Sequence, residues 1–194
     1  MKIFATALII LVLVGCADPF SSRSSEPPIG DAGTFVQPVS PQIVLINLQK
    51  SYEELIVANF MRCLDSNFVY HYDFAENQAT TSDTSWTMND EVRVTESIFN
   101  VFIADSTQAL RLTLQNLSGQ QDQSFGDSAV LYRSYVVSVI ADYGTDAADT
   151  TQYTGTSTFT MTENQQGLWS IKIWEDHHEA TDDLSWADYK YGYR

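Results

Sequence analysis

Carboxylates and imidazoles that fall on predicted strands are the candidate proton carriers of this chain: His71, Asp73 and Asp176. A working acid or base among them would need its pKa tuned by burial. Tyr70, Tyr72 and Tyr135 add phenolic donors that could line a pocket for a small apolar ligand. The same rings also suit the core and rim of a curved sheet, which is the simpler reading. Strand parity divides the set. Phe68, Tyr70, Tyr72 and Phe74 alternate with Val69, His71 and Asp73, so an inward Tyr70 turns His71 and Asp73 outward. Tyr70, Tyr72, Tyr135 and Asp176 are therefore the ligand-pocket candidates, and no catalytic residue is assigned.

Metal and nucleophile chemistry find weaker footing. Glu175, Asp176, His177, His178, Glu179, Asp182 and Asp183 form the densest run of ligand-type side chains, of a kind that suits zinc. Adjacent histidines on an extended chain face opposite ways, however, and the helical His-Glu-x-x-His spacing is missing. Asp142, Asp146 and Asp149 do not follow the spacing of a calcium-binding EF-hand loop. A solvated acidic segment is the preferred reading, with no metal and no cofactor expected. No Gly-x-Ser-x-Gly elbow, phosphate-binding loop or dinucleotide glycine pattern occurs, so serine-triad hydrolysis and nucleotide chemistry have no support. Cys63 sits among Phe60, Met61 and Leu64, as a buried apolar filler does.

The 194 residues include 10 Lys and Arg against 25 Asp and Glu, a net charge of -15. Nearly all of that charge lies in residues 41–194. Nucleic acid is not an expected partner, since phosphate binding needs a basic patch, and a bare surface lying on anionic lipid is disfavoured too. Residues 3–14 form an apolar run behind Lys2. The run is too short for the ~30 Å hydrocarbon core, which takes about 20 helical residues, but it suits the apolar centre of a secretory signal peptide. An ordinary secretory signal with an accidental cysteine is one reading.

Leu13-Val14-Gly15-Cys16 supports another, since it resembles the lipobox of bacterial lipoprotein precursors. That resemblance implies cleavage before Cys16, a diacylglyceryl group on its sulfur and usually an acylated new amine. Two or more acyl chains hold a protein to a bilayer durably where one does not. The expected location is the cell envelope, outside the cytoplasm. Ala17 follows the lipidated position and Asp18 comes one place late for inner-membrane retention, which favours the outer membrane. The expected organisation is a signal peptide over 1–15, a Pro- and Ser-rich tether over 16–40, and one domain over 41–194 ending in an acidic segment.

Within the domain, Ser40-Pro41 opens a predicted helix whose face carries Val44, Leu45, Leu48, Tyr52, Leu55 and Ile56. A short second turn covers 59–64, broken by Asp65-Ser66-Asn67. A strand over 68–74 follows, then a loop over 76–85. Thr87 and Asp90 form a capping box for a helix carrying Met88, Val92, Thr95, Phe99, Phe102 and Ile103. Everything later reads as strand: around Leu110, Leu112 and Leu114, then 129–141, 151–162 and 168–176. Thr154, Thr156, Thr158, Thr160 and Thr162 share one polar face of the third of these.

Helix, short helix, strand and helix, then a run of long antiparallel strands, is an α+β layout. Over 41–176 this order is similar to the nuclear-transport-factor-2-like superfamily, which includes ketosteroid isomerase, scytalone dehydratase and the polyketide cyclases. The opening Tyr52-Glu-Glu…Leu64-Asp-Ser-Asn-Phe68-Val-Tyr70 and the closing Gly167-Leu-Trp-Ser-Ile-Lys-Ile-Trp174 carry the likeness. The tail from Trp174 to Lys190 also looks like that of lipoproteins with this fold and no assigned activity. The resemblance implies N-terminal helices packed on a curved, mainly antiparallel sheet, leaving a cone-shaped cavity. In enzymes of the superfamily a carboxylate or His on the cavity wall moves a proton near a carbonyl. The expected function is a membrane-anchored binding or scaffolding module; the alternative is a SnoaL-like isomerase, cyclase or dehydratase acting on a small apolar carbonyl compound. The polar threonine face and the negative charge favour a monomer over a homodimer through the sheet face. Trp174 and Trp186 are expected to pack together and pin the C-terminal segment.

Overall fold

Helix α1 (Pro41–Glu54) starts where Ser40 enters in extended backbone and Pro41 supplies a preset φ, with no side-chain cap to help. A computed structural model gives the structure and describes residues 33–72, 85–178 and 184–194. Val44, Leu45, Leu48 and Tyr52 are buried along α1 as the spacing predicts, whereas Leu55 and Ile56 lie beyond its end. Leu55 closes the helix in the left-handed region at φ 57°, a position glycine usually fills. Ahead of α1, residues read as the end of the tether run along the domain. The Val36 N–H donates to Asn47 Oδ1 and the Asn47 amide returns a bond to the Val36 carbonyl, at 2.9 and 2.6 Å.

A short helix, α2 (Val57–Met61), leads into β1 (Leu64–Tyr72). The strand begins earlier than the sequence pattern suggests. Asp65, Ser66 and Asn67 do not end it but form an irregular stretch across which the register against the neighbouring strand shifts. Beyond it, Phe68, Tyr70 and Tyr72 are buried and His71 is exposed, in the expected parity. The short β2 (Ser85–Thr87) pairs with β1, and Thr87 caps α3 (Met88–Ala104) through the reciprocal box with Asp90. Along α3 the buried stripe is Glu91, Val94, Thr95, Ile98, Phe99 and Phe102, rotated from the predicted face so that Ile103 is exposed.

The remaining strands are β3 (Ala109–Asn116), β4 (Gln123–Phe125), β5 (Ser128–Ala141), β6 (Asp149–Glu163) and β7 (Trp169–His177). The sheet order is β2-β1-β7-β6-β5-β3, with β4 hydrogen-bonded to β5 off this path. Only β1 and β7 run parallel among these pairs. As expected, the apolar run of β5 lies inside the sheet between β6 and β3. Its inward polar exception, Arg133, is held by Asp122 through two 2.7 Å contacts. The Gln49 side chain of α1 accepts the Leu114 N–H of edge strand β3 at 2.9 Å. The predicted threonine row of β6 lies opposite buried Gly155, Ser157, Phe159 and Met161.

The tail holds one more element. Ser185 and Asp188 form a second capping box at the start of α4 (Trp186–Tyr191), a helix the acidic composition of this region concealed. Trp186, Ala187, Tyr189 and Lys190 are buried against α3 and β6. Among the described residues, no helix is long and apolar enough to cross a membrane.

Candidate functional site

The concave face of the sheet, α1 and α3 enclose the interior of the cone, and α4 inserts into it. Trp186 lies fully buried with its indole 4.4 Å from that of Trp174, edge to face, as expected of this pair. Its indole N–H donates to the Tyr52 hydroxyl at 3.2 Å, and its backbone N–H donates to the Tyr135 hydroxyl at 2.9 Å. The next amide, of Ala187, donates to Asp176 Oδ2 at 2.8 Å, and the Tyr70 hydroxyl donates to the same oxygen at 2.9 Å. One turn further on, Lys190 is fully buried. Its ammonium contacts Glu91 Oε1 at 2.5 Å and lies 4.0, 3.9 and 4.9 Å from the ring centres of Tyr70, Trp174 and Trp186. An ammonium set against aromatic faces is attracted by their negative π surfaces, most strongly where water is excluded.

Two carboxyl groups and one amine thus share a buried interior. Burial pushes the Glu91 carboxyl up from its ordinary range, opposed by Lys190. Burial raises Asp176 as well, opposed by the Tyr135 hydroxyl, the Lys190 charge, the Ala187 amide and the Tyr70 hydroxyl. Lys190 is pulled down by burial and held up by Glu91 and then Asp176. Glu91 Oε2 and Asp176 Oδ1 are buried oxygens without a hydrogen-bond partner among the described residues. The neighbouring phenols Tyr52 and Tyr70 are raised well above their ordinary value, again chiefly by burial, so they act as neutral hydroxyls.

The backbone makes room for this packing at one point. A Cβ on Gly155 would meet the Tyr135 hydroxyl and, at 2.5 Å, the His177 carbonyl oxygen. Glycine in β6 is what lets Tyr135 reach across to the start of α4.

Of the four ligand-pocket candidates, Tyr70, Tyr135 and Asp176 meet in this cluster. Tyr72 stacks on Tyr70 at 5.6 Å and accepts the Trp86 indole N–H at 2.9 Å. Cys16 and Asp73 lie outside the described residues, as do Glu179, Asp182 and Asp183 of the acidic run. No group of three or more His, Cys, Asp or Glu among the described residues could hold a metal ion. Cys63 is buried, its thiol pushed by burial up to about 12. Glu91, Lys190 and Tyr52 were not among the sequence candidates. Glu91 carried a signal, since it precedes Thr95, Ile98 and Phe102 at steps of four, three and four on one helical face. Lys190 follows a capping box, which marks it as a helical residue and not part of an open tail.

A surface groove of about 640 Å³, lined by Phe35, Gln37, Arg62, Asp65, Asn164 and Trp169 among others, lies elsewhere. It sits at the first residues of β1 and β7, whereas Tyr70 and Asp176 stand near their last.

The architecture is α+β, with helices on one face of a curved, open, antiparallel-rich sheet. Among solved structures, a conserved protein from Planctomyces limnophilus superposes with a TM-score of 0.53 at 7% identity, covering 70% of this chain and 91% of its own. The beta subunit of benzoate 1,2-dioxygenase from Burkholderia mallei gives 0.51 at 11% identity, over 70% and 86%. A nuclear transport factor 2-like superfamily protein from Salmonella enterica gives 0.46 at 11% identity, over 71% and 87%. These likenesses are of fold alone. No protein-family model matches the chain, and no curated protein does.

Proposed function

We propose that the chain is a membrane-anchored lipoprotein of the cell envelope whose cone is a binding module kept closed by its own C-terminal helix. The observation that carries the reading is the insertion of Trp186 and Lys190 into the interior beside Asp176. A carbonyl substrate approaching Asp176 meets α4 in its path, which speaks for a binding or scaffolding role over turnover. Leu13-Val14-Gly15-Cys16 supports the anchor, with acylated Cys16 in the bilayer and the domain outside the cytoplasm, on the outer membrane where there is one. The acidic charge keeps the domain off anionic headgroups, and the polar threonine face suits a monomer.

Metabolic labelling with palmitate tests the anchor. The wild-type chain should take up label and fractionate with membranes, and Cys16→Ser should do neither. A wild-type chain that stays unlabelled removes the anchor. The isomerase alternative draws on the burial of Asp176, and a simple β,γ-unsaturated ketone tests it. The closed module should leave the ketone unchanged, whereas conjugation to the α,β-isomer, followed by ultraviolet absorbance and lost in Asp176→Asn, restores the enzyme.

A further inference from the structure

We propose that the interior of the cone is a binding site for a primary alkylammonium ion and that Lys190 is its resident ligand, supplied by the chain itself. The inference rests on the closed-module reading and names the ligand class of that same site.

Three features of the cluster match an ammonium and little else. Tyr70 and Trp174 present ring faces at 4.0 and 3.9 Å from Nζ, and Trp186 a third at 4.9 Å. Glu91 Oε1 accepts from the ammonium at 2.5 Å, and its second oxygen, Oε2, is buried without a hydrogen-bond partner among the described residues. Asp176 adds a second buried carboxyl group, which accepts from the hydroxyl of that same Tyr70 at 2.9 Å. The walls come from β1, β7 and α3, together with Trp186 of α4; the ligand also comes from α4. The cluster is therefore a receptor made by the body of the domain and occupied from the tail.

The geometry also sets the specificity. The short contact with Glu91 needs an N–H donor, which a quaternary ammonium lacks. Glu91 at 2.5 Å and the ring centres of Tyr70 and Trp174 at 4.0 and 3.9 Å crowd the nitrogen against methyl groups. A neutral alcohol of equal length fills the same space but brings no charge to the rings or to Glu91. Primary alkylammonium should bind, and alcohol and tetramethylammonium should not.

Lys190→Ala in the full chain empties the site of three methylenes and the ammonium, the dimensions of n-propylammonium. The probe is n-propylammonium chloride, with propan-1-ol, tetramethylammonium chloride and sodium chloride at equal concentration as controls. Propylammonium should raise the melting temperature of Lys190→Ala saturably, by about 5–10 °C at a hundredfold excess over Kd, and leave the wild type unmoved. An equal rise with propan-1-ol, an equal rise in the wild type, or no rise at all overturns the proposal. If Lys190→Ala does not fold unaided, it is refolded from urea in each additive. Recovery in propylammonium alone supports the site, and recovery in none or in all overturns it. Failure of this rescue leaves the closed module standing, while loss of palmitate labelling or the appearance of ketone turnover strikes that reading without touching the rescue.

Discussion

The indole N–H of Trp186 donates to the hydroxyl of Tyr52 across 134 positions of sequence, fastening α4 to α1. Both rings are fully buried and stand edge to face at 5.3 Å. Trp186→Ala should cost about 3–5 kcal/mol in urea unfolding, the range for deleting a large buried aromatic. Trp186→Phe, which keeps a ring and loses the donor, should cost less. Truncation after Asp183 should lower the melting temperature, and an unchanged value would refute the pinning role of Trp186.

Removing one member of the Glu91–Lys190 pair leaves its partner buried and uncompensated. Glu91→Leu should therefore destabilise by about 3–5 kcal/mol, while the double variant Glu91→Leu/Lys190→Met should recover much of the loss. A double-mutant cycle in urea measures this, and strictly additive single effects would show that the two groups do not interact.

Acidity supplies a different test of the cluster. In Lys190→Met the Glu91 and Asp176 carboxyl groups lose the cation that opposes their burial. A carboxyl whose folded pKa lies above its unfolded one contributes stability at low pH and loses it as pH rises through the folded value. Lys190→Met should accordingly be more stable near pH 5 than near pH 8. Equal melting temperatures at the two pH values would place the carboxyl groups in contact with water.

Alkali should unfold the wild type for the mirrored reason. Burial holds the Cys63 thiol, ordinarily near 9, up to about 12 and keeps Tyr52, Tyr70, Tyr135 and Tyr189 protonated. Each of these groups ionises first in the unfolded chain, so their contribution to stability is full below pH 9 and falls as pH climbs towards 12. Tyrosinate absorbance from the buried rings should rise together with the loss of folded circular dichroism. A thiol-specific disulfide reagent at pH 8 should spare native Cys63 and label it in urea.

Gly155→Ala places a methyl group against the Tyr135 hydroxyl and the His177 carbonyl. Overpacking of this kind costs about 1–3 kcal/mol. Displacing Tyr135 should also release the Trp186 amide, read as faster hydrogen exchange at Trp186 than at distant Leu131. Unaltered exchange would mean that β6 shifts to absorb the methyl.

Patterning made much of this fold legible. The Ser40-Pro41 start, the Thr87–Asp90 box, the inward parity of Phe68, Tyr70 and Tyr72, and the threonine row of β6 all follow from local chemistry. The interior cluster was half visible. Tyr70, Tyr135 and Asp176 stood out by type, but Glu91 and Lys190 did not, because a charged residue is ordinarily a solvated one. Their burial depends on meeting each other, and that pairing spans 99 positions which no local window sees. The acidic run before Ser185 likewise hid α4, although Ser185 and Asp188 marked its start.

The parallel seam between β1 and β7 has a temporal side. Tyr70 waits for Asp176, 106 positions later, and the side of β1 away from β2 stays unmatched until β7 arrives. A polypeptide wired this way cannot complete its sheet from the front, so a strand-by-strand finish during synthesis is closed to it. The sheet closes only once β7 has been made, and until then β1 and β6 each carry an unpaired edge.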